Sequence, residues 1–126
     1  MRAVDLATRA VTTIAGSGSA GYRDGTGTAA SFNFLRYSVA SDGKLYLADQ
    51  NNGRVRVVDL STRVVTSLAG SGRVTKYDVS RRFGGASADG TGTAASFHLP
   101  WGLAKIGGKL YLGDLNNHRV RQISTC

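Results

Sequence analysis

A nine-residue segment, DGTGTAASF, occurs twice without any change, at Asp24–Phe32 and at Asp89–Phe97. Exact repetition of so polar and glycine-rich a segment indicates an internal duplication, and internal repeats decide the fold of a chain before any local feature does. Other segments recur as well. VDL and AGSG return after 54 residues, whereas KLYL, NN and RVR return after 65. The second copy therefore carries an insertion of 11 residues between AGSG and DGTG.

These spacings divide the chain into two periods and a remainder. Residues 1–54 form the first period, residues 55–119 form the second, and residues 120–126 match the start of a third as a surplus strand. The whole chain, residues 1–126, is thus predicted to be a single segment of a repeat protein.

Within one period, short β-strand patterns alternate with turn signals. RVRVVDL and KLYLAD alternate polar with apolar residues, VVTSLA is rich in β-branched residues, and GLAKI is a short apolar run. Asn52-Gly53 predicts a two-residue hairpin turn, and Asn117-His118 a weaker one. The composition, with no Glu, 17 Gly and one Pro, disfavours helices.

Each period therefore predicts four short antiparallel strands followed by a long link rich in Gly, Ser and Thr. Four-stranded units repeated at this spacing are typical of the blades of a β-propeller. The predicted fold class is all-β, with about two antiparallel blades of a partial propeller. One end of the strands is called here the long-loop face. It carries the connection between the second and third strands of a blade and the link to the next blade.

The segment FHLPWGLAKIGGKLYLGDLNNHRVRQI closely resembles an NHL repeat. The resemblance is carried by a P-x-G before the first strand, an L-Y-L-G-D strand and N-N-H-R-V-R at the start of the third. The first copy departs from this pattern, because Leu35, Arg36 and Tyr37 replace Pro100, Trp101 and Gly102. The resemblance implies a six-bladed propeller that serves as a binding or scaffold module. Some NHL propellers bind RNA, and some related propellers are lyases or hydrolases.

Residues that recur at equivalent positions are interpreted as structural. The Asp at the start of each link is predicted to cap its turn, and the Phe at the end to insert between adjacent blades. The Asp and Asn after the second strand are predicted to cap the hairpin. These repeat-motif residues are Asp24, Phe32, Asp49, Asn52, Asp89, Phe97, Asp114 and Asn117.

Candidate binding residues are expected on the long-loop face. The net charge of +8 favours a protein partner or another ligand with acidic groups. The 11-residue insertion lies within residues 73–88, a segment that interleaves basic and aromatic residues; this combination can bind RNA but is also common in solvated loops. His98 and Trp101 lie close to an innermost strand, where propellers bind ligands. The candidate face comprises Arg73, Lys76, Tyr77, Arg81, Arg82, Phe83, His98 and Trp101.

Catalytic and cofactor sites are not expected. Gly16, Gly18 and Gly21 match a dinucleotide fingerprint, but no helix pattern follows them. Two histidines and one cysteine, Cys126, make neither a zinc site nor an internal disulfide. No nucleophile–base pair is recognisable, and neither is a signal peptide or a membrane-spanning segment. We expect a binding module that is not an enzyme, with RNA binding and a fragment of a lyase- or hydrolase-type propeller as the alternatives.

The number of blades predicts association. Two blades cannot close a ring, because propellers need about four to eight. Either further blades of a longer propeller complete the ring, or copies of the chain associate with one another. Three chains with two blades each would supply six.

Overall fold

A computed structural model describes residues 1–72 and 87–125 of the chain. These residues form ten strands and four short 3-10 helices, and no α-helix. The strands are β1 (Arg2–Val4), β2 (Val11–Thr13), β3 (Gly25–Thr26), β4 (Leu35–Ser41), β5 (Lys44–Asp49), β6 (Arg54–Asp59), β7 (Val64–Ala69), β8 (Pro100–Ile106), β9 (Lys109–Asp114) and β10 (Arg119–Ser124). The 3-10 helices are Gly27–Ala29, Gln50–Asn52, Gly92–Ala94 and Leu115–Asn117. None of the helices in the described part of the chain is long and apolar enough to cross a membrane.

The strands form three antiparallel sheets that follow the predicted repeat. The first blade contains β4, β5, β6 and β7 from the innermost strand to the outermost. The second blade contains β8, β9 and β10, and β1 pairs with β2 in the N-terminal hairpin. The prediction of an all-β partial propeller with four-stranded antiparallel blades is therefore confirmed.

The short strand β3 was not predicted, because it lies inside the glycine-rich link. Residues Gly25 and Thr26 form β3, which pairs with Val65 and Val64 at the outer edge of the first blade. The link thus covers the outermost strand of the blade that it leads into. The backbone N–H of Gly27 also donates to the carbonyl of Arg63 at 2.9 Å.

The AGSG segment explains why the next link leaves the first blade in a fixed direction. Gly70 follows β7 with φ +101°, and a Cβ atom there would lie 2.3 Å from the carbonyl oxygen of Gly53. No other residue fits so close an approach in the left-handed region. The equivalent Gly16 has φ +112° after β2. Glycine is therefore required at the exit from each outermost strand.

The hairpin turns differ from the predicted two-residue type. Asp49 pairs with Arg54, so four residues connect β5 to β6. Gln50–Asn52 form a 3-10 turn, and Gly53 alone takes a left-handed conformation with φ 56°. In the second blade His118 takes this conformation with φ 53°. The two-residue prediction at Asn52-Gly53 and Asn117-His118 was wrong because the side chain of each Asn donates back to the preceding Asp, at 2.8 Å in both blades, across a one-turn helix.

Two apolar clusters fill the seams between the sheets. Phe97 is buried in the seam between the two blades, with Tyr46 and Val55 from the first and Leu110 and Leu112 from the second. Phe32 lies in the other seam, among residues of the N-terminal hairpin and the first blade. That cluster contains Ala15, Ala30, Leu47, Val58 and Val65, with Met1 and Ile14 against it. Each copy of DGTGTAASF therefore ends on an aromatic ring that lies between adjacent sheets.

Candidate binding face

A fully buried arginine organises the long-loop side of the first blade. Arg56 lies on β6 and has no exposed surface. Its guanidinium donates to Asp49 at 2.8 Å and to Asp24 at 2.6 Å. It also donates to the backbone carbonyls of Ser31 and Arg23, at 3.1 and 2.9 Å. A buried charge needs an opposite charge and hydrogen-bond acceptors, and the two terminal nitrogens of Arg56 have both, whereas its Nε has no partner among the described residues. These contacts fix both ends of the link to the blade.

The second blade repeats this arrangement residue for residue. Arg121 donates to Asp114 at 2.9 Å and to Asp89 at 2.7 Å. It also donates to the carbonyls of Ser96 and Ala88. The two phenylalanine rings lie 5.0 and 5.2 Å from the guanidinium carbons of Arg56 and Arg121. All of these partners are related by the 65-residue spacing, so the duplication of the sequence is a duplication of this ion-pair network.

The network corrects the roles that the sequence suggested for four aspartates. Asp24 accepts from Arg56 and from the N–H and hydroxyl of Ser67, so it anchors the link and does not cap its own turn. Asp89 pairs with Arg121 in the same way. Asp49 and Asp114 make no capping bond to their helix backbone. Each instead accepts from its arginine, from the asparagine three residues later, and from a backbone N–H of the link, that of Asn33 or His98.

Sequence reasoning missed Arg56 and Arg121. The polar–apolar alternation of RVRVVDL indicated a strand but not the burial of these arginines, whereas Arg56 is fully buried and Arg121 is buried to all but 8%. The available signal was the recurrence of two aspartates and one arginine at the same 65-residue spacing, which indicates charges that pair with one another.

The beginnings of the innermost strands are irregular in both blades. The register of β4 with β5 shifts between Leu35 and Ser38, and that of β8 with β9 shifts between Pro100 and Leu103. The residue just before each strand, Phe34 or Leu99, has a left-handed backbone with φ 60° or 56°. Such conformations are uncommon for large apolar residues and mark positions where the surroundings impose the geometry. Bulges of this kind redirect side chains at binding surfaces.

The redirected side chains meet between the two innermost strands. The guanidinium carbon of Arg36 lies 4.7 Å from the ring centroid of Trp101 and 5.1 Å from that of Phe34. Arg36 Nε also donates to Gln50 Oε1 at 2.9 Å. Arg36 and Trp101 occupy equivalent positions in adjacent blades, 65 residues apart. The departure of the first copy from the P-x-G pattern therefore places a cation against the tryptophan of the second.

The contacting residues Phe34, Arg36 and Trp101, together with Tyr37, which follows Arg36 in the sequence, are called here the aromatic–arginine cluster. The cluster is open to solvent. Phe34 is 59% exposed, Tyr37 52% and Trp101 38%. Among the described residues, Arg36 has no carboxylate within ion-pair distance, whereas Arg56 and Arg121 have two each. Exposed rings around a positive charge that has no counter-ion can bind a ligand in which an anionic group lies beside an apolar group.

The predicted candidate residues fall into two groups. Trp101 belongs to the aromatic–arginine cluster. His98 is half-buried; its backbone N–H donates to Asp114, and its Nδ1 is buried without a hydrogen-bond partner within the described ranges. Arg73, Lys76, Tyr77, Arg81, Arg82 and Phe83 lie outside the described residues. Sequence reasoning did not identify Phe34, Arg36 or Tyr37 as members of a site.

Metal binding has no support in the described geometry. Across residues 1–72 and 87–125, no group of three or more His, Cys or Asp side chains is placed to hold a metal ion. The buried carboxylates of Asp49 and Asp114 form ion pairs with Arg56 and Arg121. In this part of the chain they are therefore structural acceptors.

The two antiparallel blades pack side by side with their innermost strands adjacent, and the second has three strands among the described residues. This arrangement defines the chain as part of a β-propeller. Solved structures share this arrangement. A protein of unknown function from Bacteroides thetaiotaomicron superposes with a TM-score of 0.78 at 18% identity, over 98% of this chain and 29% of its own. An auxiliary nutrient binding protein from Bacteroides ovatus gives a TM-score of 0.71 at 25% identity, over 98% of this chain and 31% of its own.

Sequence relatives support the resemblance to NHL repeats. NHL repeat-containing protein 2 of Bos taurus is 37% identical over 79 residues, which is 61% of this chain and 10% of that protein. Protein SUPPRESSOR OF QUENCHING 1, chloroplastic, of Arabidopsis thaliana is 33% identical over 85 residues, 67% of this chain and 7% of that protein. The chain thus spans a tenth or less of the length of these relatives. No protein-family profile matches it. Its repeat motifs and blades agree with the bovine relative, and the chain therefore carries NHL-type repeats.

Proposed function

We propose that this chain works by binding rather than by catalysis, and that its long-loop face binds a protein segment carrying a carboxylate beside an apolar side chain. The observation that supports the proposal most strongly is the position of the Arg36 guanidinium, 4.7 Å from Trp101 and 5.1 Å from Phe34. Arginine and large aromatic residues dominate the binding energy of protein interfaces.

The chemistry of the aromatic–arginine cluster favours this class of partner. The guanidinium can donate two parallel hydrogen bonds to a carboxylate. The exposed rings of Phe34, Tyr37 and Trp101 offer apolar surface to a neighbouring side chain. The left-handed residue before each innermost strand and the shifted registers hold the cluster in place without a partner, which lowers the ordering cost of binding. The bovine relative is named only as a repeat-containing protein, so the partner is inferred from this surface alone.

A peptide array tests the proposal. Immobilised dodecapeptides that pair Asp or Glu with Leu, Phe or Tyr are compared with the same peptides carrying Asn or Gln. We expect the acidic–apolar peptides to retain the chain. Arg36→Ala and Trp101→Ala are each expected to weaken binding about tenfold or more, the effect of losing an interface anchor. Lys44→Ala is the matched control, because Lys44 is exposed at the other end of β5.

RNA is the competing class of ligand, through the basic insertion at residues 73–88. Filter binding with a mixed RNA pool at increasing salt measures it, with Arg81→Ala combined with Arg82→Ala as the variant. Salt-sensitive RNA binding that this double variant weakens, in a chain that retains no acidic peptide, would contradict the proposal and assign the binding to the insertion. Turnover of a propeller-type lyase or hydrolase substrate by the purified chain would contradict the non-catalytic role.

A further inference from the structure

A buried glutamine lies beside the aromatic–arginine cluster. Gln50 is the first residue of the 3-10 turn after β5 and is only 5% exposed. Its backbone N–H donates to the carbonyl of Phe34 at 3.1 Å, and its side-chain oxygen Oε1 accepts from Arg36 Nε at 2.9 Å. One residue therefore holds both the backbone of Phe34 and the side chain of Arg36.

The two blades differ at both members of this polar pair. The 65-residue spacing relates Arg36 to Trp101 and Gln50 to Leu115, so the first blade has two polar side chains where the second has two apolar ones. Both blades nevertheless form the same 3-10 turn and the same shifted register. A buried amide costs free energy unless it is hydrogen-bonded. Since the fold does not require an amide at this position, its bond to Arg36 explains the presence of Gln50.

This bond also determines which nitrogen atoms of Arg36 are left for a ligand. A guanidinium has only donors, so the amide of Gln50 must turn its oxygen to Nε and its nitrogen away. Neither terminal nitrogen of Arg36 makes a hydrogen bond to a described residue, and the same is true of Gln50 Nε2, which is not shut off from solvent. The free N–H groups of Arg36 and Gln50 lie close together, because the amide nitrogen is bonded to the same carbon as the oxygen that Arg36 contacts.

We propose that Gln50 makes the aromatic–arginine cluster selective for a carboxylate, an inference that rests on the function proposed above. The two terminal nitrogens of an arginine can donate in parallel to the two oxygens of a carboxylate. Each oxygen has a second lone pair, and the amide nitrogen of Gln50 can donate to one of them. An Asn or Gln side chain in the ligand has one oxygen and an NH₂ group, so it loses at least one of these bonds and places donors against donors.

The bond to Gln50 also holds the cation in position before a ligand arrives. A free arginine side chain has many rotamers, and ordering them opposes binding. Held at Nε, Arg36 stays 4.7 Å from the ring centroid of Trp101, where its terminal nitrogens meet no carboxylate of the described residues. Loss of the Gln50 amide should therefore weaken the binding of a carboxylate without damaging the fold.

The single tryptophan of the sequence reports on this pair in the absence of any peptide. Iodide is attracted by a neighbouring cation and acrylamide is not, so the ratio of their quenching constants measures the charge beside Trp101. Gln50→Glu places a carboxylate against Arg36 and should lower this ratio at least about twofold, as expected for one charge close to an exposed ring in salt solution. Gln122→Glu is the matched control, because it makes the same change at an exposed position of β10 and should leave the ratio unchanged.

Fluorescence anisotropy with an acidic–apolar dodecapeptide and its Asn- or Gln-containing counterpart measures the selectivity. Gln50→Leu introduces the residue of the second blade and should weaken binding of the acidic peptide about tenfold, the effect of losing a hydrogen bond to a charged group. Binding of the amide peptide should change little, and the midpoint of thermal unfolding should not fall. Gln50→Glu should remove the preference for the acidic peptide, whereas Gln122→Leu and Gln122→Glu should keep it.

The outcomes separate this inference from the function on which it rests. If the acidic peptide binds the wild-type chain and Gln50→Leu equally well, the role of Gln50 is wrong and the binding function stands. An iodide ratio that does not respond to Gln50→Glu would likewise overturn the role of Gln50. If Gln50→Leu lowers the unfolding midpoint and weakens both peptides alike, Gln50 is a structural residue and the inference is wrong. A wild-type chain that binds neither peptide would contradict the proposed function itself.

Discussion

The two blades share the motifs KLYL and RVR in their second and third strands, but they bury the shared residues to different extents. Val55 of the first blade is fully buried, and its equivalent Val120 in the second is 80% exposed. The side chain of Asp24 is 42% exposed, and that of Asp89 is 97% exposed. Among the residues that the structure describes, the first blade has a neighbouring sheet on each side and a fourth strand at its outer edge, whereas the second has a neighbouring sheet on one side only. The repeat therefore determines which residues a blade contains. The neighbouring sheets determine how far those residues are buried and how much they contribute to stability, as in other repeat proteins.

The largest expected difference between the blades concerns the buried arginines. Arg56→Ala leaves Asp49 fully buried without its cation and should lower the free energy of unfolding by about 3–5 kcal/mol. Arg121→Ala should cost less, because Arg121 is 8% exposed and lines an open groove at the outer edge of the second blade, so that water can enter the space that its side chain leaves beside Asp114. Urea denaturation followed by circular dichroism measures both variants.

Arg2→Ala is the matched control for that comparison. Arg2 has the same place in the repeat but is exposed, so its replacement should change the free energy of unfolding by no more than about 0.5 kcal/mol. Equal losses for Arg56→Ala and Arg121→Ala would show that the missing neighbour does not affect the ion-pair network.

Much of this fold could be predicted from the sequence, and the reasons are local. The alternation in KLYLAD and the β-branched residues of VVTSLA specify strands, and the repeat spacing specifies their order. The strand β3 could not be predicted, because glycine and threonine in Gly25–Thr26 have no strand pattern and pair only once β7 is in place. The burial of Arg56 was also missed, since two aspartates from distant segments determine it.

The candidate site could also be predicted only in part, because contacts between distant segments determine it. Trp101 could be proposed from its position beside Pro100 at the start of an innermost strand. Arg36 and Phe34 could not, because their contact with Trp101 depends on two adjacent blades and on a shifted register in each. Arg36, which departs from the repeat pattern, is therefore the residue that joins the exposed cluster together.

A smaller difference is expected from the link aspartates. Asp24→Ala removes an ion pair with Arg56 and the acceptor for Ser67, so it should destabilise the chain by about 1 kcal/mol, after allowance for solvent at the exposed side chain. Asp89→Ala should have no measurable effect on the single chain, because the carboxylate is almost fully exposed. Thermal unfolding of the two variants at equal, low concentration makes the comparison. A larger effect for Asp89→Ala than for Asp24→Ala would contradict the role assigned to the outer edge.

The smallest expected effect separates two turns of nearly identical sequence. The β6–β7 turn reads DLSTR and the β1–β2 turn reads DLATR, so the two differ only at Ser61 and Ala7. The hydroxyl of Ser61 and the N–H of Thr62 lower the pKa of Asp59 to about 2. Asp5 accepts from the N–H groups of Thr8 and Ala7, which lower its pKa below 3.8, but it has no hydroxyl at the position of Ser61.

Ser61→Ala makes the two turns identical and should raise the pKa of Asp59 toward that of Asp5. A carboxyl group whose pKa is lowered by folding stabilises the fold above its unfolded pKa, and that contribution is lost as the pH falls through the folded pKa. Wild-type stability should therefore decline between about pH 4 and pH 2, and the decline should be shallower in Ser61→Ala. Carboxyl-carbon NMR titration of the two aspartates measures the shift directly. An unchanged Asp59 midpoint in Ser61→Ala would show that the backbone N–H groups alone hold the turn, in which case the complete blade and the N-terminal hairpin share one turn chemistry.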